Sequence, residues 1–374
     1  MKTHHIILSA LLATSIVSCN GNDIIPEIPK TPVHPTDSVA TEGYQFTFGG
    51  STDTDEETTR ASWTDEITGN DGKRHLVFGW DYTDEKAPTY DMKMAFVSSQ
   101  GVLTSTESKN YTDVTILKHS TKSDDRHWAE FKTVERYSNP LKEYDGYTLI
   151  AVNGKGCKVS TTNPFAMELT MPNTFTQSAT NSLTHLSDYM YMYDTYVLKG
   201  GDAHLKFKHL TAPVRFRIHN WRSSEAKIYS ASMHIANNGA LTGSKVSVAS
   251  DGATYASSHS SITVKAAGDS YFTIAERSQK EYIDLYAHVL PLGSADGIKG
   301  KTIQFTIEAN DIISSEKKVQ YLTSELDHIS AEKFYQATNS YNWKAGDLYT
   351  FHIYLDDVAI GSVSIEDWVY NEVL

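Results

Sequence analysis

The chain has 374 residues, of which 40% are hydrophobic and 21% are charged. This ordinary globular composition excludes collagen, coiled coil and wholesale disorder, and the length suits about two domains of roughly 150 residues each. The 33 Lys and Arg residues against 46 Asp and Glu residues give a net charge of −13. That charge argues against nucleic acid or an anionic membrane surface as a partner, because like charges repel.

The N-terminus has the pattern of an export signal. Lys2 precedes an apolar run over residues 6–17, and the small residue Ser18 precedes Cys19. This run is too short to cross a hydrocarbon layer of roughly 30 Å, so residues 1–18 are predicted to be a cleaved signal peptide. Residues 15–19 resemble the processing site of bacterial lipoproteins, in which the cysteine thiol is acylated and becomes the new N-terminus. A plain secretory signal with an incidental cysteine is the alternative. With Cys19 lipidated, Cys157 is a lone thiol.

Residues 19–42 are predicted to be a proline-rich tether. Pro26, Pro29, Pro32 and Pro35 recur at every third position, which is the period of a polyproline II helix. At about 3.1 Å per residue the spacer is stiff and roughly 30 Å long. It is therefore expected to hold the folded body away from the membrane.

Alternation with period two dominates from residue 44 onward and predicts strands. Tyr44, Phe46 and Phe48 share one face of the first strand. Further alternating runs cover residues 92–97, 147–152, 167–171, 189–197, 205–209, 214–218, 229–235, 282–290, 303–307, 349–355 and 358–365. No helical pattern separates these runs, so they predict an all-β fold of antiparallel β-sandwiches rather than an α/β fold. Residues 324–337 read as helical and are expected to form a short surface element.

Two neighbouring strands are predicted to carry basic side chains that face solvent. Lys206 and Lys208 alternate with apolar residues in one strand, and Arg215 and Arg217 do so in the next. Just before these strands, Gly200 and Gly201 stand between two charged residues. They predict a domain boundary that separates an N-terminal β-sandwich domain, residues 43–201, from a C-terminal one, residues 202–374.

The sequence has no pattern of a catalytic or metal site. Gly-x-Ser-x-Gly, His-Glu-x-x-His and Cys-x-x-Cys do not occur, and the fifteen histidines are scattered. The acidic residues 53–57 lack the glycine and the glutamate that an EF-hand loop needs. We therefore predict no catalytic residue, no metal, no cofactor and no enzymatic activity, and a triad assembled across the fold stays open. His209 lies within an apolar strand and is expected to be a hydrogen-bonded packing residue rather than a metal ligand.

Aromatic residues allow two interpretations. They either form an exposed carbohydrate platform or belong to the core, and the core is favoured because large aromatic side chains are usually buried. The residues concerned are Trp63, Trp80, Trp128, Trp221, Tyr189, Tyr191 and Tyr193. The tyrosines of residues 189–193 alternate with methionines, as expected for a strand covered on both faces.

Several short motifs follow one another along the chain. After the lipoprotein signal come Thr-Arg-Ala-Ser-Trp at residues 59–63, Asp-Tyr-Met-Tyr at 188–191 and Leu-Lys-Phe-Lys-His-Leu-Thr-Ala-Pro-Val at 205–214. Trp-Lys-Ala-Gly-Asp-Leu-Tyr-Thr-Phe-His-Ile at 343–353 and Val-Ser-Ile-Glu-Asp-Trp at 363–368 close the series. In this order, the motifs resemble the fimbrillin-like proteins of Bacteroidetes, subunits of type V pili, over nearly the whole chain.

The resemblance implies both a fold and a mode of assembly. The fold is two tandem transthyretin-like Greek-key β-sandwich domains, in a lipoprotein displayed on the outer membrane and in fimbriae. In that family a protease cuts after an arginine and removes the lipidated segment with the first strand, and a strand from another subunit fills the groove. Arg60 matches the cleavage position, and Tyr44, Phe46 and Phe48 belong to the exchanged strand. The implied partners are other fimbrial subunits and a host or bacterial surface glycan or protein.

Alternatives to this interpretation stay open. Arg60 is an ordinary surface charge if the protein anchors or caps a pilus and keeps its first strand. The second hypothesis is a monomeric surface lipoprotein that binds glycan through exposed aromatic residues. A third hypothesis, a hydrolase, is supported by no sequence motif. Residues 37–39, Asp-Ser-Val, resemble an O-glycosylation acceptor. An edge position of residues 44–48 would favour release of this strand, whereas a central position would argue against it.

Overall fold

Alternating strands build almost all of the regular structure, as a computed structural model of the chain shows. The structure describes residues 43–52, 63–68, 74–78, 92–119, 128–182, 185–186, 189, 191–201, 203–236, 239–256, 258–277, 281–294, 296–324 and 328–365. The predicted signal peptide and tether lie outside the described residues, as do Cys19, Arg60 and Trp80.

The described residues form short strands joined by turns. The strands are β1 (Thr47–Thr52), β2 (Trp63–Thr68), β3 (Arg74–Phe78), β4 (Met92–Ser98), β5 (Gly101–Val102), β6 (Thr112–His119), β7 (Trp128–Thr133), β8 (Thr148–Asn153), β9 (Lys158–Val159), β10 (Met167–Thr170), β11 (Thr174–Gln177), β12 (Met192–Val197), β13 (His204–His209), β14 (Ala212–Asn220), β15 (Ala226–Ile235), β16 (Lys245–Ala249), β17 (Gly252–Ala256), β18 (Ser261–Ala266), β19 (Phe272–Ile274), β20 (Tyr282–Val289), β21 (Thr302–Asn310), β22 (Lys318–Leu322), β23 (Ile329–Ser330), β24 (Tyr349–Leu355) and β25 (Ile360–Ile365). A helix, α1 (Ala331–Thr338), and a 3₁₀ turn (Leu141–Tyr144) complete the described elements.

The first sheet, sheet A, closes on itself. Its strand order is β5-β4-β6-β7-β1-β13-β12-β8, and β8 also pairs with β4. Within this ring β1 is antiparallel to β7 and parallel to β13. Closure removes the free edges that an open sheet would present.

Three further sheets and a hairpin contain the other strands. Sheet B has the order β17-β16-β10-β9, and sheet C has the order β11-β18-β15-β21-β22, with β19 beside β15 and β23 beside β21. Sheet D has the order β20-β14-β24-β25, and β2 pairs with β3. The predicted all-β class, with several sheets in a sandwich fold, is confirmed.

Two hydrophobic clusters form the core. The first core contains Phe46, Phe48 and Phe207 of sheet A, and the second joins sheets C and D through contacts such as Phe305 with Phe351. Successive residues of β4 contribute to different cores: Met94 and Phe96 belong to the first core, whereas Ala95 and Val97 belong to the second. Sheet A is therefore covered on both faces at this strand, because neighbouring side chains of a strand point in opposite directions.

The predicted antiparallel arrangement is wrong at three strand pairs. β1 with β13, β11 with β18, and β14 with β24 are parallel. Parallel neighbours need a long connection, and the members of each of these pairs are far apart in sequence. Alternation reports which face of a strand is apolar, but it does not report the direction of a distant partner.

The predicted basic faces divide into one that is exposed and one that is buried. Lys206 and Lys208 are exposed, as predicted. Arg215 and Arg217 are buried, so the prediction that they face solvent is wrong. Arg217 donates from Nε and Nη2 to the two carboxylate oxygens of Asp284, each at 2.8 Å. All nine residues of β14 are buried because this strand lies between β20 and β24 and both of its faces are covered.

The helix begins later than predicted, and it is a short surface element whose inner face is docked on the core. The Ser330 hydroxyl accepts a hydrogen bond from the Lys333 N–H at 3.2 Å and caps the first turn. Phe334 is fully buried and stacks on Tyr349 with ring centroids 5.6 Å apart. No helix among the described residues is long and apolar enough to cross a membrane.

Gly200 and Gly201, at the predicted domain boundary, form the turn between β12 and β13. Their φ angles of +69° and +73° lie in the left-handed region that favours glycine, and both N–H groups donate to the Asp145 carboxylate. β12 and β13 pair with each other, so sheet A continues across this turn. All described residues belong to one compact unit, Val33–Leu374. Independent folding of residues 43–201 and 202–374 stays a prediction.

Candidate functional site: the slot around the first strand

Residues 43–52 occupy an aromatic slot in sheet A, which we call the β1 slot. Aromatic rings directed at this segment form the walls of the slot. They belong to Phe96, Phe131, Tyr137, Tyr144 and Phe207. Phe46 and Phe48, two positions apart on one strand face, have no exposed surface. The slot is therefore a preformed apolar cleft that a strand with this pattern fills.

Phe46 makes the most extensive contacts in the slot. Its ring stacks on Tyr137, with centroids 4.7 Å apart and an interplanar angle of 11°. It meets Phe96 edge-on at 5.5 Å and Tyr144 at 5.9 Å. Full burial of a phenylalanine stabilises a fold by about 1.5–3 kcal/mol, so Phe46 and Phe48 together are a main anchor of the strand.

Gly49 and Gly50 allow the strand to pass close to neighbouring ring side chains. A Cβ on Gly50 would lie 2.5 Å from Cε2 of Phe131 and 3.3 Å from Phe207, and one on Gly49 would lie 2.9 Å from Nδ1 of His204. Phe131 and Phe207 meet at 5.9 Å across this position. A strand that fills the β1 slot therefore needs a glycine at this level.

Backbone pairing differs between the two halves of the segment. Tyr44 and Tyr137 exchange N–H···O bonds of 2.8 and 2.9 Å, and Thr133 donates from its N–H to the Phe46 carbonyl at 2.9 Å. The described pairing with β13 begins only at Gly49. β1 is therefore a central strand that pairs on both sides over residues 49–51, whereas the described pairing of residues 44–48 runs along one side only.

Polar side chains fix the start of the segment in register. The Gln45 amide donates to the carbonyls of Thr133 and Val134 at 3.0 and 2.9 Å. Arg136 donates from Nη1 to the Gly43 carbonyl at 3.1 Å. The acceptors of these hydrogen bonds are backbone carbonyls. The bonds therefore position a strand in the slot and depend little on most of its sequence.

Burial shifts the pKa values of the tyrosines that line the slot. Burial raises the pKa of the Tyr137 hydroxyl, and the nearby Glu135 carboxylate raises it further. Burial likewise raises the pKa of Tyr144. Glu135 pairs with Lys109 at 2.6 Å at the rim, and this hydrogen bond raises the pKa of Lys109. Both tyrosines therefore stay neutral and act as apolar walls.

The structure brings together some of the predicted site residues. Tyr44, Phe46 and Phe48 lie on one face in the slot, while Arg60 and Cys19 are outside the described residues. The sequence did not reveal Tyr137 or Tyr144 as partners, because they lie more than 85 positions downstream in a region without clear alternation. The two adjacent glycines after Phe48 were the local signal of a close approach.

Other residues considered for chemistry have packing environments. Burial lowers the pKa of His209 to about 4, which keeps its imidazole neutral; the residue is partly exposed, but its Nε2 atom is buried. Cys157 is buried with its sulfur 3.8 Å from that of Met167. Within the described part of the chain, no three His, Cys, Asp or Glu side chains converge as metal ligands would.

The aromatic residues divide between core and surface. Tyr191 belongs to the second core and Met192 to the first, so this strand is covered on both faces as predicted. Trp221 is 43% exposed and packs on Tyr354 at 4.4 Å. The side chains of Trp63, Trp80 and Trp128 lie outside the description.

Comparison with solved structures finds proteins described as cell adhesion or fimbrial proteins. A candidate cell adhesion protein from Bacteroides uniformis is 11% identical with a TM-score of 0.40, over 87% of this chain and 99% of its own. The fimbrial anchor protein Mfa2 from Porphyromonas gingivalis is 15% identical with a TM-score of 0.33, over 78% and 94%. The tip fimbrial protein Mfa3 from the same organism, with a C-terminal truncation, is 10% identical with a TM-score of 0.32, over 86% and 100%.

No protein-family model matches the chain, and no curated protein matches it. At such identities and TM-scores the neighbours say nothing about what this chain binds.

Proposed function

We propose that the protein is a fimbrial subunit or a fimbria-associated adhesion protein of the cell surface, with a non-enzymatic role. In this proposal it is held at the outer membrane by acyl chains on Cys19. The β1 slot is the site that joins it to other fimbrial subunits, because a strand supplied by a neighbour can replace β1 there. The motifs that resemble the fimbrillin-like family and the build of the slot support this function.

The position of β1 in the chain carries the proposal. β1 ends at Thr52 and the next described strand begins at Trp63, so the link between them runs through residues 53–62. Arg60 lies in that link. A cut after Arg60 would leave β1 held only by its hydrogen bonds and by the burial of its aromatic side chains.

The pairing pattern favours replacement over simple release. Residues 49–51 are paired on both sides, which argues against spontaneous loss of the strand. An empty slot would also expose the Phe96 and Tyr137 rings and leave the backbone groups of β7 and β13 unpaired, an unfavourable state. An incoming strand that enters beside residues 44–48, whose described pairing runs along one side only, would avoid both penalties.

Mass spectrometry of protein purified from the cell surface tests the proposal. We expect a chain that begins at Ala61 together with polymers that survive mild detergent. Arg60→Ala is expected to keep the longer chain and to prevent polymerisation, while Arg277→Ala, at an arginine that the structure shows exposed, changes neither. An N-terminus at Cys19 with no Ala61 form would contradict the processed subunit.

One observation favours a second candidate, a monomeric glycan-binding surface lipoprotein. Trp221 is 43% exposed, and sugars stack on free aromatic faces. Tyr354 covers one face of Trp221 and itself stacks on His219 at 4.5 Å. Only the outer face of Trp221 is then free, so loss of glycan binding in Trp221→Ala would be the result that supports this candidate.

A further inference from the structure

The outer face of sheet C carries an ordered array of short polar side chains. Alternation directs Met233 and Phe305 into the second core, and the intervening residues point outward. Strand register places Thr174 beside Thr263, Thr263 beside Ser232, and Ser232 beside Thr306. Because neighbouring strands are about 4.8 Å apart, these four residues form a row of hydroxyl groups across the sheet.

This face is concave around the row. A groove of about 650 Å³ lies here, and ten residues line it. Eight of these are polar, and none is Asp, Glu, Lys or Arg. The polar lining residues that lie on strands are Ser232, His234, Ser261, Thr263, Gln304, Thr306 and Gln320. An outer sheet face usually carries charges, and their absence lowers the desolvation cost of binding an uncharged polar ligand.

The groove residues keep hydrogen-bonding capacity for a ligand. The Ser232 and Thr263 hydroxyls are 2.8 Å apart, and His234 Nε2 is 3.0 Å from Gln304 Oε1. A hydroxyl has one donor and two acceptor sites, and an amide adds two N–H donors. Each pair therefore fixes its side chains in place while leaving further donors and acceptors directed at the groove. Sugar hydroxyls match such a mixture.

One end of the groove is basic and aromatic. Lys318 is two residues before Gln320 on β22, on the same strand face, and its Nζ lies 4.2 Å from the centre of the Tyr229 ring. Tyr229 meets Tyr271 edge-on at 5.6 Å, and Lys227 Nζ lies 5.2 Å from the Tyr271 ring. Tyr271 is 43% exposed. We call Lys227, Tyr229, Tyr271 and Lys318 the lysine–tyrosine end.

The charge of this end is favourable to anions. Lys265 stands beside Ser230 in the register, and Glu308 stands on the other side of Ser230. Glu308 lies within 3.4 Å of the Ser230 hydroxyl. Lys227, Lys265 and Lys318 thus lie on the part of the face that also carries Glu308, in a chain whose net charge is −13. Such a local reversal of sign selects an anionic group.

We propose that the outer face of sheet C binds an acidic oligosaccharide. Its neutral sugar residues lie in the groove and bond to the hydroxyl and amide side chains. A carboxylate or sulfate group lies at the lysine–tyrosine end. The site does not involve the β1 slot, so it functions in the isolated chain whether or not subunits exchange strands.

Calorimetric titration of the full chain with three probes tests this site. The probes are hexagalacturonate, a chondroitin sulfate hexasaccharide and neutral cellohexaose. We expect one or both acidic probes to bind more tightly than cellohexaose, and a preference between the two identifies the anionic group as carboxylate or sulfate. No binding of either acidic probe would overturn the proposal.

Two pairs of variants locate the site. Thr263→Leu removes a hydroxyl and fills the groove with an apolar side chain, so it should weaken acidic-probe binding by about tenfold or more, while Thr254→Leu, at an exposed threonine of β17, should not. Lys318→Glu should weaken binding by about tenfold, whereas Lys317→Glu, at the adjacent exposed position, should change it little. These positions lie on the outer surface, so thermal unfolding should match that of the parent. Unchanged affinity in Thr263→Leu would overturn the placement in the groove.

Discussion

The ring of Phe46 lies almost parallel to that of Tyr137, with centroids 4.7 Å apart. The residues belong to strands that pair through Thr133 and Phe46, so backbone bonding and ring stacking act at the same level of the slot. Stacking of this kind adds about 0.5–1.5 kcal/mol beyond burial. The pair is therefore the point at which β1 is held most firmly.

Phe46→Ala is expected to lower the free energy of unfolding by about 3–5 kcal/mol, because it leaves a cavity beside Tyr137 and Phe96. Phe165→Ala is the matched control, since that ring is 41% exposed, and it should stay within about 0.5 kcal/mol of the parent. Urea denaturation measures both. Equal losses in the two variants would mean that Phe46 is not an anchor.

Gly50→Ala is expected to destabilise the protein by about 1–3 kcal/mol through overpacking. Its new Cβ would lie 2.5 Å from Phe131, a ring held by Phe207. Gly361→Ala, whose Cβ would lie no nearer than 3.3 Å to a neighbour, should be better tolerated. Thermal unfolding compares the two, and a neutral Gly50→Ala would show that the slot accepts strands without a glycine at this level.

Asp284→Ala is expected to cost about 3–5 kcal/mol, because it leaves a buried guanidinium without its carboxylate. Asp284 binds Arg217 through both oxygens, and Arg215 lies 3.9 Å away. The control is Asp113→Ala, which removes a partly exposed ion pair with Lys93 and should cost about 0–1 kcal/mol. Denaturant melts of both variants give the comparison. A small loss in Asp284→Ala would mean that the arginines rearrange to reach water.

Alternation predicted the strands well but not their surroundings. The pattern of β24 predicted its bounds, Tyr349–Leu355, because each residue's face follows from its own side chain. Lys206 and Arg215 both alternate with apolar residues along a strand, yet Lys206 is exposed and Arg215 is buried. The difference depends on the strands and layers that pack beside them, and these come from distant parts of the chain. The residues that fill the β1 slot could be predicted from the sequence. The residues that form its walls could not, because they come from distant parts of the chain.

Acid is expected to destabilise the protein through two of its histidines. Burial lowers the pKa of His209 to about 4 and that of His288 to about 3, from an ordinary value near 6.5. His288 is held between the Thr211 hydroxyl at 3.1 Å and the Leu186 carbonyl at 2.6 Å. The folded protein therefore has no favourable way to take up a proton at these rings.

The sign of the effect follows from proton binding. The unfolded chain takes up these protons below about pH 6.5, whereas the folded chain does so only near pH 3–4. The stabilisation is thus complete above pH 6.5 and is lost as pH falls, by up to about 1.4 kcal/mol per pH unit for each histidine.

Urea melts at several values between pH 7 and pH 4 should show this slope. In His288→Gln the slope should decrease by about the contribution of one histidine, whereas Thr254→Ala, at an exposed side chain that does not titrate, should leave it unchanged. The slope is compared rather than the stability at one pH, because His288→Gln also changes packing at neutral pH. A slope in His288→Gln equal to that of the parent would show that His288 is protonated as readily in the folded chain as in the unfolded one.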